Sequence, residues 1–167
     1  PANSHKGTYG KALIIGGSSD YRGAVGLSAL AAYRVGAGLV TVNTAESVVN
    51  TLAGHVLEAT WRSDPNPLKL DFQDYDALLL GPGWGRSDSA HDQLNQVLGS
   101  NPNTLPPLVI DADGLNMLSE AEHWWQRLPP RTIITPHPGE MSRLVGISTH
   151  EVQNNRWALA TEKAAQW

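Results

Sequence analysis

KALIIGGSSDYRGAVGLSALAAYRVGAGLVTVNTA, residues 11–45, decides the fold. Ala12 to Ile15 form a run too short and too β-branched for a helix, and Gly16 and Gly17 stop it. Gly23-Ala24 then open a segment whose apolar positions Leu27, Leu30, Ala31 and Val35 recur at helical spacing. Gly36 and Gly38 end that helix before a second apolar run, Leu39-Val40-Thr41-Val42. The order is strand, turn, helix, strand. A right-handed βαβ crossover puts both strands in one parallel sheet and places the loop Gly16 to Gly23 at a carboxyl end, where open α/β sheets bind ligands.

That loop, GGSSDYRGA, supplies backbone N–H groups, serine hydroxyls and a helix N-terminus, all suited to an anionic or hydroxyl-rich ligand. It carries neither the Gly-Lys-Ser/Thr of a P-loop nor the spacing of G-x-G-x-x-G. The small residues Ala24, Gly26, Ala29, Ala31 and Ala32 have a packing explanation, since they let the helix lie close to the sheet.

Outward from this unit, strands and helices alternate, which predicts a three-layer α/β/α domain with a mainly parallel sheet. Ser47 to His55 is read as a short helix with Val48, Val49, Leu52 and Ala53 on its apolar face, and Leu57 to Trp61 as a strand. Residues 62–75, RSDPNPLKLDFQDY, read as a proline-broken surface loop. Ala77 to Leu80 is a buried strand running into Gly81-Pro82-Gly83-Trp84-Gly85, after which Ser87 or Asp88 caps a helix burying Leu94, Val97 and Leu98. Leu108 to Ile110 ends in Asp111-Ala112-Asp113-Gly114-Leu115-Asn116. Ser119 and Glu122 have capping-box spacing for a helix through Trp124-Trp125 that Pro129-Pro130 terminates. Arg131 to Thr135 leads into Pro136-His137-Pro138-Gly139-Glu140, and Ser148 with Glu151 caps a final helix carrying Val152, Leu159, Ala160 and Ala164.

In a parallel sheet the four turns GGSSDYRGA, GPGWG, DADGLN and TPHPGE emerge on one edge, so distant residues line one crevice. Gly81, Gly83 and Gly85 either make a tight connection or let a ligand lie on bare backbone. Asp111 or Asp113 caps the following helix, yet two carboxylates and Asn116 exceed what capping requires and suit ribose hydroxyls or a hydrated magnesium ion. His137, stiffened between two prolines, is read as a site residue; Glu140 either caps the short helix Met141 to Val145 or belongs to the site. The tryptophans at 124, 125, 157 and 167 are read as core or interface.

Composition narrows the function classes. The 167 residues, 41% of them hydrophobic, suffice for the core of a single domain. A net charge of −4, with no basic stripe, argues against nucleic acid as a partner. The absence of cysteine excludes disulfides and thiolate catalysis and suits the cytoplasm, the expected location. No apolar stretch reaches membrane-spanning length, so no membrane partner is expected. Because the chain starts at Pro1, a processed or cut N-terminus is expected, with room for a preceding domain.

HKGTYGKALIIGGSSDYRGAVGLSALAAYRVGAGLV, LLLGPGWG, LVIDADGLNML and IITPHPGEMSRLVG, in this order, resemble the successive signatures of the ADP/ATP-dependent NAD(P)H-hydrate dehydratases of the ribokinase-like superfamily. The resemblance implies a metabolite-repair enzyme that removes water from hydrated NADH and NADPH, using ADP or ATP with Mg2+ to turn the ring hydroxyl into a phosphate leaving group. It implies substrate contacts at Ala24, Gly85 and His137, with Asp113 and Asn116 as weaker carry-overs; Gly83 is read with them as substrate-binding, and Gly17, Ser18, Tyr21 and Glu140 as site-lining. It also implies fusion to or cooperation with an NAD(P)H-hydrate epimerase, while a homo-oligomer is expected because absent helices would leave apolar sheet surface uncovered. The family's Gly-x-Gly-Asp turn, which supplies a catalytic aspartate, has no match here, so residues 1–167 are expected to be the N-terminal portion of one such domain, poorly stable alone. Two alternatives stand beside the dehydratase: an inactive fragment that only binds a dinucleotide or a partner chain, and a small-molecule kinase of the same superfamily. Vitamin kinases carry asparagine where His137 stands.

Overall fold

The first βαβ unit forms as its sequence predicts. β1 (Lys11–Ile15) pairs in parallel with β2 (Leu39–Asn43), Lys11 opposite Leu39 and Ile15 opposite Asn43, and α1 (Gly23–Arg34) crosses between them. The structure is a computed structural model and describes residues 6–167; Pro1 to His5, on which the expectation of a processed start rests, lie outside the described residues. The other strands are β3 (Thr60–Arg62), β4 (Ala77–Leu80), β5 (Leu108–Ile110) and β6 (Thr132–Ile134). They form one sheet in the order β3-β2-β1-β4-β5-β6, parallel throughout.

The chain therefore builds outward from β1 to β3, returns to lay β4 beside β1, and builds outward the other way. Alternation along β1 shows how the helices divide. Leu13 and Ile15 pack with Leu94 and Val97 of α3 (Asp88–Leu98) and Leu115 and Leu118 of α4 (Asp113–Leu118). Ile14, on the other face, packs with Val25 and Ala29 of α1 and Val48 of α2 (Glu46–Leu52). The result is the expected three-layer α/β/α architecture, with each fully buried aliphatic side chain contributing about 1.5–3 kcal/mol. Three helices complete the chain: α5 (Pro138–Val145), α6 (Thr149–Asn154) and α7 (Arg156–Gln166).

Tertiary packing overrides the local reading in four places. The buried face of α1 is Val25, Gly26 and Ala29, whereas Leu27 and Val35 are 70% and 88% exposed, because the helix seats its small residues on the sheet. Residues 62–75 bury Leu70 and Phe72 and contain two 3-10 turns, capped by the Asn66 and Asp71 side chains. Ser119 starts no helix; it is the C-cap of α4, and Trp124–Arg127 is a single 3-10 turn entered through His123 at φ 53°. Trp124 is buried there edge-on to Trp167, ring centroids 4.6 Å apart, which outweighs the capping signal. Finally, the Ser148–Glu151 capping box forms, but Asn155 splits the expected helix into α6 and α7, and α7 buries no residue completely. Among the described residues no helix is long and apolar enough to cross a membrane.

Two predictions follow from the packing of the second half. Gly81 holds φ at 114°, and a Cβ there would collide with the Asp111 carbonyl and with Gly114. Gly81→Ala is expected to destabilise the fold by about 2–4 kcal/mol in chemical denaturation. His91 of α3 lies 2.9 Å from Glu120, and its pKa is raised, first by the Ser87 carbonyl and then by that carboxylate. A raised folded pKa stabilises fully below the ordinary histidine value and fades as pH rises through the folded one. The denaturation midpoint should fall between pH 6 and pH 8, and His91→Gln should flatten that fall.

Candidate functional site

Strand order reverses between β1 and β4, so the loops leaving these adjacent strands diverge toward opposite faces and a crevice opens between them. The two loops are fastened at its base: the Gly17 N–H donates to the Pro82 carbonyl at 2.9 Å. A Cβ on Gly16 would stand 2.6 Å from that same oxygen, so only glycine permits the approach.

Gly83 and Gly85 extend this contact. Both hold positive φ, 63° and 74°. A side chain on Gly83 would meet the Tyr21 carbonyl at 2.6 Å and the Ala24 Cβ at 2.8 Å, so Gly83 packs directly on the entry to α1. Gly85 faces Ser18, and its N–H donates to Asp113 Oδ2 at 2.8 Å. The structure thus brings Gly17, Ser18, Tyr21, Ala24, Gly83 and Gly85 together from two turns more than fifty residues apart in sequence.

Asp113 does not cap its own helix, and neither does Asp111. The N-cap of α4 is Ala112, which makes no side-chain cap bond and holds φ 52°, ψ −120°. Such a conformation is disfavoured for alanine and is retained here at a strand end, where it turns Asp113 back toward Gly85. Asp113 Oδ1 lies 3.4 Å from Asn116 Nδ2, so both carboxylate oxygens are engaged and Asp113 braces the GPGWG turn. Asn116 Oδ1 in turn accepts from Arg143 Nε of α5 at 2.9 Å.

His137 is the N-cap of α5. Its Nδ1 accepts from the Gly139 N–H at 3.0 Å, which places the ring proton on Nε2, 3.1 Å from Glu140 Oε1. Glu140 is buried, and its other oxygen accepts from the His137 N–H at 2.9 Å, completing a capping box. The Glu140 carboxylate is therefore used structurally, whereas the His137 ring remains 64% exposed. Arg143 ties this helix to the rest, reaching Asn116 and standing 3.9 Å from where a Gly139 side chain would lie. Sequence reading missed Arg143: it lies in no turn motif, and only the docking of α5 beside α4 aims it at Asn116.

The arrangement offers backbone without side chains, an amide, a guanidinium and an imidazole along one edge, suited to holding a long ligand rich in hydroxyl and phosphate groups. Among the described residues no three carboxylates or histidines stand together as a cation site.

Residues 12–167 match the sequence profile of the Carb_kinase family, described as NAD(P)H-hydrate dehydratase. The bifunctional NAD(P)H-hydrate repair enzyme Nnr of Coxiella burnetii is 44% identical over 161 residues, which cover 93% of this chain and 30% of that protein. An ADP/ATP-dependent NAD(P)H-hydrate dehydratase from Bacillus subtilis, co-crystallized with ATP/Mg2+, superposes with a TM-score of 0.79 at 34% identity, over 99% of this chain and 58% of that one. A ribokinase-like superfamily protein from Enterococcus faecalis gives 0.80 at 28% identity, over 96% of this chain and 57% of that one. The chain thus spans less than two thirds of the length of each. With the ordered turns, the all-parallel sheet and the profile in agreement over nearly its whole length, the chain belongs to the NAD(P)H-hydrate dehydratase family of ribokinase-like fold.

Proposed function

We propose that the protein containing this chain dehydrates hydrated NADH and NADPH with ADP or ATP as co-substrate, and that residues 12–167 supply the dinucleotide-holding side of its site. The observation that carries this reading is the fastening of the strand-end turns of a family member into one edge: the Gly17 N–H donates to the Pro82 carbonyl, the Gly85 N–H donates to Asp113, and Asn116 bridges Asp113 to Arg143 of α5. Bound nucleotide supplies the phosphoryl group that makes the ring hydroxyl a leaving group. The residues of this chain do the holding: Gly85 leaves backbone bare of a side chain, Gly83 seats that turn on the entry to α1, Asp113 fixes it, Asn116 keeps a spare amide hydrogen and lone pair, and His137 offers its exposed ring face. Magnesium is expected to arrive with the nucleotide phosphates.

The expected setting is the cytoplasm, and the expected companion activity is an epimerase that interconverts the two hydrate epimers. A homo-oligomer is the expected assembly.

The purified protein, given hydrated NADPH with ADP or ATP and magnesium, should regain the absorbance of reduced nicotinamide only when nucleotide is present. A persistent phosphorylated product would instead identify a kinase, and no recovery from a folded protein would remove the dehydratase reading. Asp113→Ala, which frees the GPGWG turn, is expected to lower kcat/KM about 10- to 100-fold by misplacing the ligand. His137→Ala should weaken dinucleotide binding and also lose about 1 kcal/mol with the cap. His137→Asn should keep the cap yet still bind weakly; full affinity in that variant would take the imidazole out of the site.

A further inference from the structure

Beside the Gly85 turn, a crevice of about 590 Å³ opens at the carboxyl ends of β1, β2 and β3, lined among others by Ser18, Asn43, Thr44, Asp64 and Trp84. The proposed reaction leaves most of it unused. Its polar groups are held in place but not satisfied. Thr44 is only 8% exposed and its hydroxyl has no partner; the buried Ser18 hydroxyl has none either. Buried hydroxyls without a protein partner are few in native folds, and of the four unpartnered buried side-chain polar atoms among the described residues these two belong to residues lining the crevice.

Asp64 is fixed by a reciprocal clasp. Its N–H donates to Asn43 Oδ1 and its carbonyl accepts from Asn43 Nδ2, both at 3.0 Å, and Asn43 is itself 2% exposed. Asp64 Oδ1 accepts from the Asn66 N–H at 3.1 Å and faces Lys69 Nζ at 3.4 Å. Oδ2 takes part in none of these contacts. The charged side chains lining the crevice are Glu46 and Asp64, both acidic. Lys69 is engaged by Asp64, Arg22 at the rim donates to the Ser19 carbonyl at 2.8 Å, and Arg62 and Arg86 do not line the space. Such a lining suits a neutral polyol and opposes a phosphate dianion.

Position supplies the rest. His137 follows β6 and Thr44 follows β2, four strand spacings apart in the sheet, or roughly 19 Å. That is the scale of an extended dinucleotide laid across the strand ends, its path running from His137 past Gly85 and Ser18 into the crevice.

Resting on the dehydratase reading above, we propose that this crevice is a ribose subsite for the adenosine end of the dinucleotide and selects hydrated NADH over hydrated NADPH. Asp64 Oδ2 accepts from a ribose hydroxyl and the Thr44 hydroxyl gains its missing partner. The 2′-phosphate that distinguishes NADPH would face Asp64 and Glu46 there.

Titration calorimetry of the purified protein with hydrated NADH and, separately, hydrated NADPH, without ADP or ATP, tests this. Hydrated NADH should bind about tenfold tighter or more, and Asp64→Asn should shrink that ratio. Thr44→Val should weaken binding of hydrated NADH roughly fivefold while its Tm stays level or rises, since it deletes an unpaired buried hydroxyl. A purely structural Thr44 would give the opposite pattern, lower Tm and unchanged affinity, and would count against the subsite. Equal affinities, or preference for hydrated NADPH, would overturn the subsite and leave the dehydratase reading standing. Binding of neither dinucleotide would overturn both.

Discussion

The close approach of two glycine-bearing turns, secured by the hydrogen bond from Gly17 to the Pro82 carbonyl, is the constraint on which the site depends. It exists because β4 returns to lie beside β1 and reverses the strand order. Backbone then meets backbone without room for side chains, at Gly16 against Pro82 and at Gly83 against Tyr21. Such contact removes conformational freedom from both loops, whose Gly16, Gly17 and Gly85 amides donate to Asn43, Pro82 and Asp113. Everything that follows in the site, from Ser18 to Arg143, is placed relative to that seam.

A second constraint is that the polar groups of the edge mostly restrain one another. Asp113 spends both oxygens on Gly85 and Asn116; Glu140 spends both on His137; Asn43 clasps Asp64. A carboxylate occupied in this way is a poor general base, because abstracting a proton would break the bonds that hold it. Asp64 Oδ2 and the exposed face of the His137 ring are left unengaged by these bonds.

How much of this was legible beforehand differs by residue. The βαβ unit over residues 11–45 could be read from glycine placement and β-branched runs, because those are local preferences that the parallel sheet reinforces. The four strand-end turns were visible for the same reason. Errors arose where long-range packing competed with a local cue. Ser119 and Glu122 have capping spacing, yet burial of Trp124 against Trp167 decided the conformation of 119–127. Leu27 and Val35 have helical spacing, yet the sheet accepted the smaller Val25, Gly26 and Ala29.

The sequence by itself determined the class of fold, the parallel order of strand and helix, and which turns reach the ligand-binding edge, since these depend on period and on residues that only certain turns admit. The tertiary structure alone decided which of those turns touch. Only there does Asp113, freed from capping by the strained Ala112, reach Gly85; only there does Arg143 meet Asn116 and Asn43 clasp Asp64. Pairings between residues 21 to 28 apart in sequence leave no periodic trace, because they arise from how whole helices and strands stack rather than from any preference of the residues themselves.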